Sequence, residues 1–401
     1  MRRQGPAPAR EYEDDMTYTL GGVTRKLTTC LIALSVLLGL AACDTAGLTS
    51  GTRSGKAQVA LLVPAGSADS NVAFLAQNLT NAAKLAAADL EGVTIDLRVY
   101  DTAGDASVAA QVARQAVADG ADVIVGPLFA EAANAAGNAV RGSGISVMSF
   151  SNNTDVAGGN VFVLGATFDN TARRMMGYAR SRGLSRVMVV NGETTAETIG
   201  RDAIVRAAHD NGMTVVGSAS FAMSQEGVIA AAPQIVATAQ STGADALFLT
   251  SNTDTALPIV TQLLPEQGLT PDTIQYIGLT RWDVPASALS LPGVQRGWFA
   301  LPDTKALSRF SARYTEVYGA APHTIAGLGY DGVAAVGALI KTGSGLSPQA
   351  LTQARGFAGA SGAFRFLQNG SNQRALSVAT IENNAVRVLD PAPTGFGQAG
   401  S

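Results

Sequence analysis

The sequence predicts an α/β protein of two doubly wound lobes with a central cleft between them. Three observations carry that reading. Residues 121–154, ADVIVGPLFAEAANAAGNAVRGSGISVMSFSNNT, hold a strand, a helix and a second strand in one short unit. Apolar runs and helix-period segments alternate along the chain twice over, before and after Asp169. And 401 residues that are 47% hydrophobic and 15% charged, with 44 glycines, suffice for two sizeable cores joined by many short loops.

The 121–154 unit sets the frame. Asp122 to Val125 is a β-branched run stopped by Gly126-Pro127, which reads as a buried strand ending in a turn. AEAANAAGNAV is built of strong helix formers, and Gly142 and Gly144 stop it before a second buried run, Ile145 to Phe150. Two strands joined by a crossover helix lie parallel, so both of their carboxyl ends fall on one sheet edge. In open α/β sheets that edge is where ligands bind, and a helix starting near Ala130 points free N–H groups into it.

The remaining elements follow in order. Val59 to Pro64 is the first strand, Asn71 to Leu90 an amphipathic helix, Val93 to Tyr100 a strand, Asp101 to Asp105 a loop and Val108 to Asp119 a helix. The second series has helices at Asn170 to Arg182, Ala196 to Asn211, Val228 to Thr242 and Thr255 to Leu264. Its strands are Arg186 to Val190, Thr214 to Phe221, Ala246 to Thr250 and Gln275 to Leu279. Phe310 to Tyr318 and the small-residue helix Thr324 to Ile340 come next. Gly362 to Leu367, Gln373 to Ile381 and Ala385 to Val388 then alternate around the turn pairs Asn369-Gly370 and Asn383-Asn384. The expected division is 57–168 plus about 301–345 for the first lobe, 169–300 plus about 346–390 for the second, and 391–401 as a tail. Two such lobes can hinge onto a small molecule.

The N-terminal segment has its own pattern. Arg25 and Lys26 precede an apolar stretch, Leu31 to Leu40, too short to span a bilayer, and Leu40-Ala41-Ala42 stands before Cys43. Residues 1–42 resemble a bacterial lipoprotein signal preceded by a mis-assigned start: the acidic stretch Glu11 to Asp15 does not belong in such a signal, and translation is expected to start at Met16. The resemblance implies cleavage before Cys43, lipid on its thiol and a protein held on a membrane by several chains. Residues 43–56 are then anchor and linker. In enteric bacteria an aspartate after the lipidated cysteine resembles an inner-membrane retention signal, and Asp44 occupies that place.

Bulk numbers exclude several classes. A net charge of -3 without basic clusters argues against nucleic acid. Two cysteines and two histidines make a structural zinc site or a disulfide framework implausible, and no cofactor is expected. Ser-x-x-Lys and Gly-x-Ser-x-Gly do not occur, so no serine acyl-enzyme is expected and the protein reads as non-catalytic. Gly327-Leu328-Gly329-Tyr330-Asp331-Gly332 matches GxGxxG by letters, but it follows no strand and reads as tight helix packing.

The order VALLVPAGS, DVIVGPLF, ISVMSFSNNT, ADALFLTSN, QYIGLTRWD and GYDGVAAVGAL resembles the type I periplasmic binding-protein fold, two Rossmann-like lobes, in the branch of the leucine/isoleucine/valine-binding proteins. The likeness covers most of residues 57–390. IQYIGLTRWD, GWFALPD, APHTIAGLGYDG and GFAGASGAFRF look closer to lipoproteins called penicillin-binding protein activators. That resemblance implies a peptidoglycan synthase as partner, with activation of cell-wall synthesis as the expected role. The alternative is a solute-binding receptor whose partner is an ABC permease, with a small polar ligand in the cleft.

The amino-acid binders imply three ligand anchors. At the first, serines in the family, this chain has Phe129, Ala130, Glu131 and Ala132; a carboxylate there repels a ligand carboxylate. At the second, usually Ala-Thr, it has Ser151, Asn152 and Asn153. The third, an acidic clamp, falls at Thr280, Arg281, Trp282 and Asp283, and Asn252 ends the neighbouring ADALFLTSN loop. Trp282 is open to either a pocket or a core role. Two eroded anchors disfavour a standard amino acid, whereas a cationic or peptide-like ligand still fits.

Overall fold

Residues 55–397 are described in the structure, a computed structural model. The signal segment, Met16, Cys43 and Asp44 lie outside the described residues. No helix among the described residues is long and apolar enough to cross a membrane.

The first lobe is built on five parallel strands, β1 (Lys56–Val63), β2 (Thr94–Asp101), β3 (Val123–Val125), β4 (Val147–Ser149) and β5 (Val161–Val163), in the order β2-β1-β3-β4-β5. Helices α1 (Ser70–Asp89), α2 (Ala106–Ala118) and α3 (Ala130–Val140) connect them. Each of the first two starts where an aspartate outside the helix accepts free first-turn N–H groups. Asp69 accepts from Asn71, and Asp105 accepts from Ser107 and Val108. β1 and β3 are apolar on both faces because the sheet is covered on both sides. β5 escaped the sequence reading, since three residues between glycine-rich turns carry no period.

The chain crosses at residues 164–167 into α4 (Phe168–Ser181) and the second sheet. There β6 (Arg186–Gly192), α5 (Thr195–Asp210), β7 (Thr214–Phe221), α6 (Gln225–Thr242), β8 (Ala246–Leu249), α7 (Leu257–Glu266), β9 (Gln275–Gly278) and β10 (Trp298–Leu301) follow. Met175, Met176 and Tyr178 pack into the core on one face of that sheet. After β10 the chain returns to the first lobe as α8 (Thr304–Tyr318) and α9 (Ala326–Lys341), then forms a small antiparallel sheet of β11 (Phe357–Gly359), β12 (Gly362–Phe366) and β13 (Asn372–Arg374). It crosses once more, and β14 (Ser377–Glu382) and β15 (Ala385–Asp390) complete a seven-stranded sheet, β15-β14-β10-β9-β8-β6-β7.

This corrects the expected division. Phe357, Phe364, Phe366, Leu346 and Leu351 sit in the same core as β1 and α9, so residues 346–374 pack with the first lobe, and only β14 and β15 join the second. The run Gln373 to Ile381, read as one strand, is two. Arg374 ends one sheet and Ser377 opens another, and alternation alone does not reveal that a strand changes sheets between them. The GxGxxG letters fall inside α9. A Cβ at Gly329 would strike the Leu79 backbone, and one at Gly332 the Val125 side chain, so close helix packing demands these glycines.

Candidate functional site

All three crossings lie at strand carboxyl ends. The first leaves the end of β5, the second leaves the end of β10, and the third enters β14 at Ser377, which pairs with Leu301 at that same end of β10. The carboxyl ends of the parallel strands in the two sheets therefore face each other across the hinge, and every loop following a parallel strand opens toward the cleft.

In the first lobe, Gly126 makes the β3 loop possible. It has φ +96°, and a side chain there would run into the Leu62 carbonyl. The Pro127 carbonyl then accepts the Phe150 N–H at 2.9 Å and the Ser149 hydroxyl at 3.1 Å, which ties the β3 loop to the β4 loop. Phe129 stands at the start of α3 without capping it, exposed and with its ring beside Gly104. Ala130 is half-buried and Glu131 exposed in the first turn, whereas Ala132 turns into the core. The α3 amino end thus faces the cleft with no side-chain acceptor, and Glu131 already complements its dipole.

The β4 loop is stitched locally. The Ser151 hydroxyl is buried and accepts the Asn153 N–H at 3.0 Å, and the Asn153 side chain accepts the Asp155 N–H at 2.9 Å. Asn152 is exposed. Ser151 therefore shapes the loop instead of presenting a free hydroxyl.

In the second lobe, the Thr280 hydroxyl donates to the Ser251 carbonyl at 3.3 Å. Asn252 is exposed, and its side chain accepts the Asp254 N–H at 3.0 Å. Arg281 holds Asp283 through two parallel hydrogen bonds, one of 2.9 Å, so the only carboxylate of the expected clamp is neutralised by its neighbour. Trp282 is a correction. Its side chain is fully buried, stacks on Phe299 at 6.4 Å and fills the space left by Gly278 and Gly297. The large ring turns inward because two glycines open a slot for it, and its indole N–H finds no partner there.

Glu197, in the first turn of α5, ties two strand ends together. Its carboxylate accepts the Gly192 N–H, the Thr250 hydroxyl at 2.6 Å and the Ser251 hydroxyl at 3.0 Å, joining the ends of β6 and β8. Glu193 accepts the Ser220 hydroxyl at 3.0 Å. His209 is exposed on α5, and His323 meets the Phe74 ring edge-on at 6.1 Å.

A cavity of about 830 Å³ lies between the lobes, walled by the β4 loop, the first crossing, α5 and the turn after β12. It brings in Asn152 and Asn153 from the expected site. Phe129 to Ala132, Ser151, Asn252 and Thr280 to Asp283 are not in its wall. The wall adds Asp155, Asp169, Asp202 and Asp210 against Arg173 and Arg206; Arg201 beside it holds Asp202 at 2.8 Å, which leaves a slight acidic excess, and the apolar Ile199 is exposed among them. Asp169 and Arg206 pair at 3.0 Å. These residues escaped sequence reasoning. The signal was present in Asp202, Arg206 and Asp210, four apart on one face of a helix, but such a row also reads as a solvated surface. Among the described residues no group of histidine, cysteine and carboxylate side chains could hold a metal ion.

The chain is similar in structure to several transport proteins. A protein from Rhodospirillum rubrum assigned to a branched-chain amino acid ABC transporter superimposes with TM-score 0.69 at 19% identity, over 83% of this chain and 100% of that one. A branched-chain amino acid ABC transporter periplasmic ligand-binding protein from Burkholderia xenovorans gives 0.62 at 17%, over 84% and 96%. An ABC transporter substrate-binding protein from Desulfitobacterium hafniense gives 0.60 at 16%, over 83% and 100%. At these identities the likeness is one of fold. Among curated protein sequences none matches. The sequence profile of the periplasmic binding proteins matches residues 56–385, and the chain belongs to that family.

Proposed function

We propose that this protein is a solute-binding receptor of an ABC transporter, taking a small polar ligand between its lobes. The observation that carries this is the cavity between the lobes at the hinge, walled by groups from both. A ligand that touches both walls stabilises the closed arrangement, and closure is what a permease can read. The transporter names of the structural relatives support the same reading. The acidic excess of the wall favours a ligand with positive charge, and the self-neutralised Arg281–Asp283 pair disfavours a plain α-amino acid. The Phe129 to Ala132 loop and Asn252 would contact the ligand as the lobes close.

The test is thermal unfolding of the full chain against amino acids, diamines, short peptides and muropeptides. A ligand at about 100 times its Kd stabilises the folded state by about 2.7 kcal/mol, a shift of a few degrees. A shift with a cationic solute supports the receptor.

One observation favours a second reading. The eroded amino-acid anchors, with Ala130 in place of a hydroxyl, Asp283 neutralised and Trp282 buried, fit a protein whose cleft is no longer a transport site. On that reading it activates a penicillin-binding protein. No shift across the panel, together with faster glycan polymerisation by a synthase from the same cell, would favour activation over transport. Anchoring through lipid on Cys43 suits either role.

A further inference from the structure

On the first lobe, away from the cleft, a second cavity of about 540 Å³ opens among α1, α8, α9 and β11. Its floor is apolar. Leu85 and Phe310 belong to the small core that α1 and α8 share, and Tyr330 meets Phe310 edge-on at 5.5 Å. Between Tyr330 and Lys341, α9 turns only the small residues Ala334, Gly337 and Ala338 toward the space, and the missing side chain of Gly337 lets Leu90 pack against the helix. The Tyr330 hydroxyl takes no partner among the described residues, and burial pushes its pKa up, so it remains a neutral donor.

The rim has the opposite character. Arg309, Arg313 and Lys341 line it against one carboxylate, Asp89. Arg313 is held by Asp89 at 3.1 Å and by Glu316 at 3.0 Å. Arg309 and Lys341 are exposed and make no ion pair among the described residues. An apolar floor under uncommitted cations suits a molecule that buries a carbon body and keeps an anionic head in water.

We propose that this cavity binds a small amphipathic anion, an acyl or aryl carboxylate, with its carbon body on Leu85, Phe310 and Tyr330 and its head toward Arg309 and Lys341. The site is independent of the receptor reading, because none of its residues lines the cavity between the lobes.

Titration calorimetry of the full chain at low salt tests it, with decanoate below its micelle concentration, decanol and decyltrimethylammonium as probes. Phosphatidylglycerol vesicles form a separate arm. Decanoate is expected to bind, decanol about tenfold more weakly and the cation not at all. Arg309→Glu with Lys341→Glu, both surface changes, should weaken decanoate about tenfold or more, and Ala338→Phe, which fills the floor, should abolish it. Absence of decanoate binding, equal binding of decanol, indifference to the charge reversal, or association with vesicles alone would each overturn the proposal.

Discussion

Arg374 and Asp331 stand 43 residues apart in sequence and meet at 2.9 Å in the hinge, both buried. Around them the first and third crossings are sewn together. The Arg374 guanidinium also donates to the Leu164 carbonyl at 2.6 Å, its backbone N–H donates to the Asn170 side chain at 2.7 Å, and Asp331 accepts the Ala360 N–H at 2.7 Å. Asn372 donates to the Val163 and Gly165 carbonyls and accepts from Asn170. Burial pushes the Asp331 carboxyl up, and Arg374 and the Ala360 N–H pull against it. Arg374→Met should therefore destabilise the protein by about 3–5 kcal/mol, because it strands a buried carboxylate. Arg374→Met with Asp331→Leu should recover part of that loss, the remainder being the Leu164 carbonyl and the Ala360 N–H left without these partners. Urea unfolding of the three proteins measures it; a single variant as stable as wild type refutes the account.

The Arg281–Asp283 pair makes a prediction about specificity. With Arg281 removed, Asp283 regains an uncompensated charge beside the cleft. Arg281→Ala should then melt a few degrees higher in the presence of lysine or leucine than in their absence, while wild type shows a smaller response. Equal responses in both proteins would mean that Asp283 does not face the ligand.

Trp282→Ala separates core from pocket. It empties a fully buried site between Gly278, Gly297 and Phe299, so stability should fall by about 3–5 kcal/mol. Ligand affinity of the folded variant, measured by calorimetry below its melting point, should be unchanged. A large affinity loss would return Trp282 to the binding surface.

Asp105 gives a pH dependence with a fixed sign. Its carboxylate accepts the Ser107 hydroxyl and the Val108 and Ser107 N–H groups, which holds its pKa below the ordinary 3.8. A depressed folded pKa means the stabilisation is full above the unfolded value and disappears as pH falls through the folded one. Asp105→Ala should melt below wild type at neutral pH, and the gap should close as the pH drops below 3.8. A gap that persists in acid would point to packing instead of the cap.

Much of the fold was legible because local chemistry agrees with it. The β3–α3–β4 unit is written in a β-branched run, a Gly-Pro stop and an alanine-rich helix, and the structure forms it at Val123–Val125, Ala130–Val140 and Val147–Ser149. β10, WFAL, is not legible as an element because, unlike the equally short β8 and β9, it follows no helix-period segment that would mark it as the next strand of the alternation. The site was less legible. Asn152 and Asn153 reach the cavity, but Trp282, placed at a strand end by the same reasoning, turns inward.

By itself the sequence determined the α/β alternation and the loops that face a cleft, since period, turn residues and helix caps are local properties read within a few residues, and the family fold followed from a resemblance of its phrases. Only the tertiary structure decided that Arg281 silences Asp283, that Gly278 and Gly297 admit the Trp282 ring, and that Arg374 finds Asp331. Each of those outcomes depends on which side chains compete for one small volume or one charge, and elements far apart in the chain bring the competitors together.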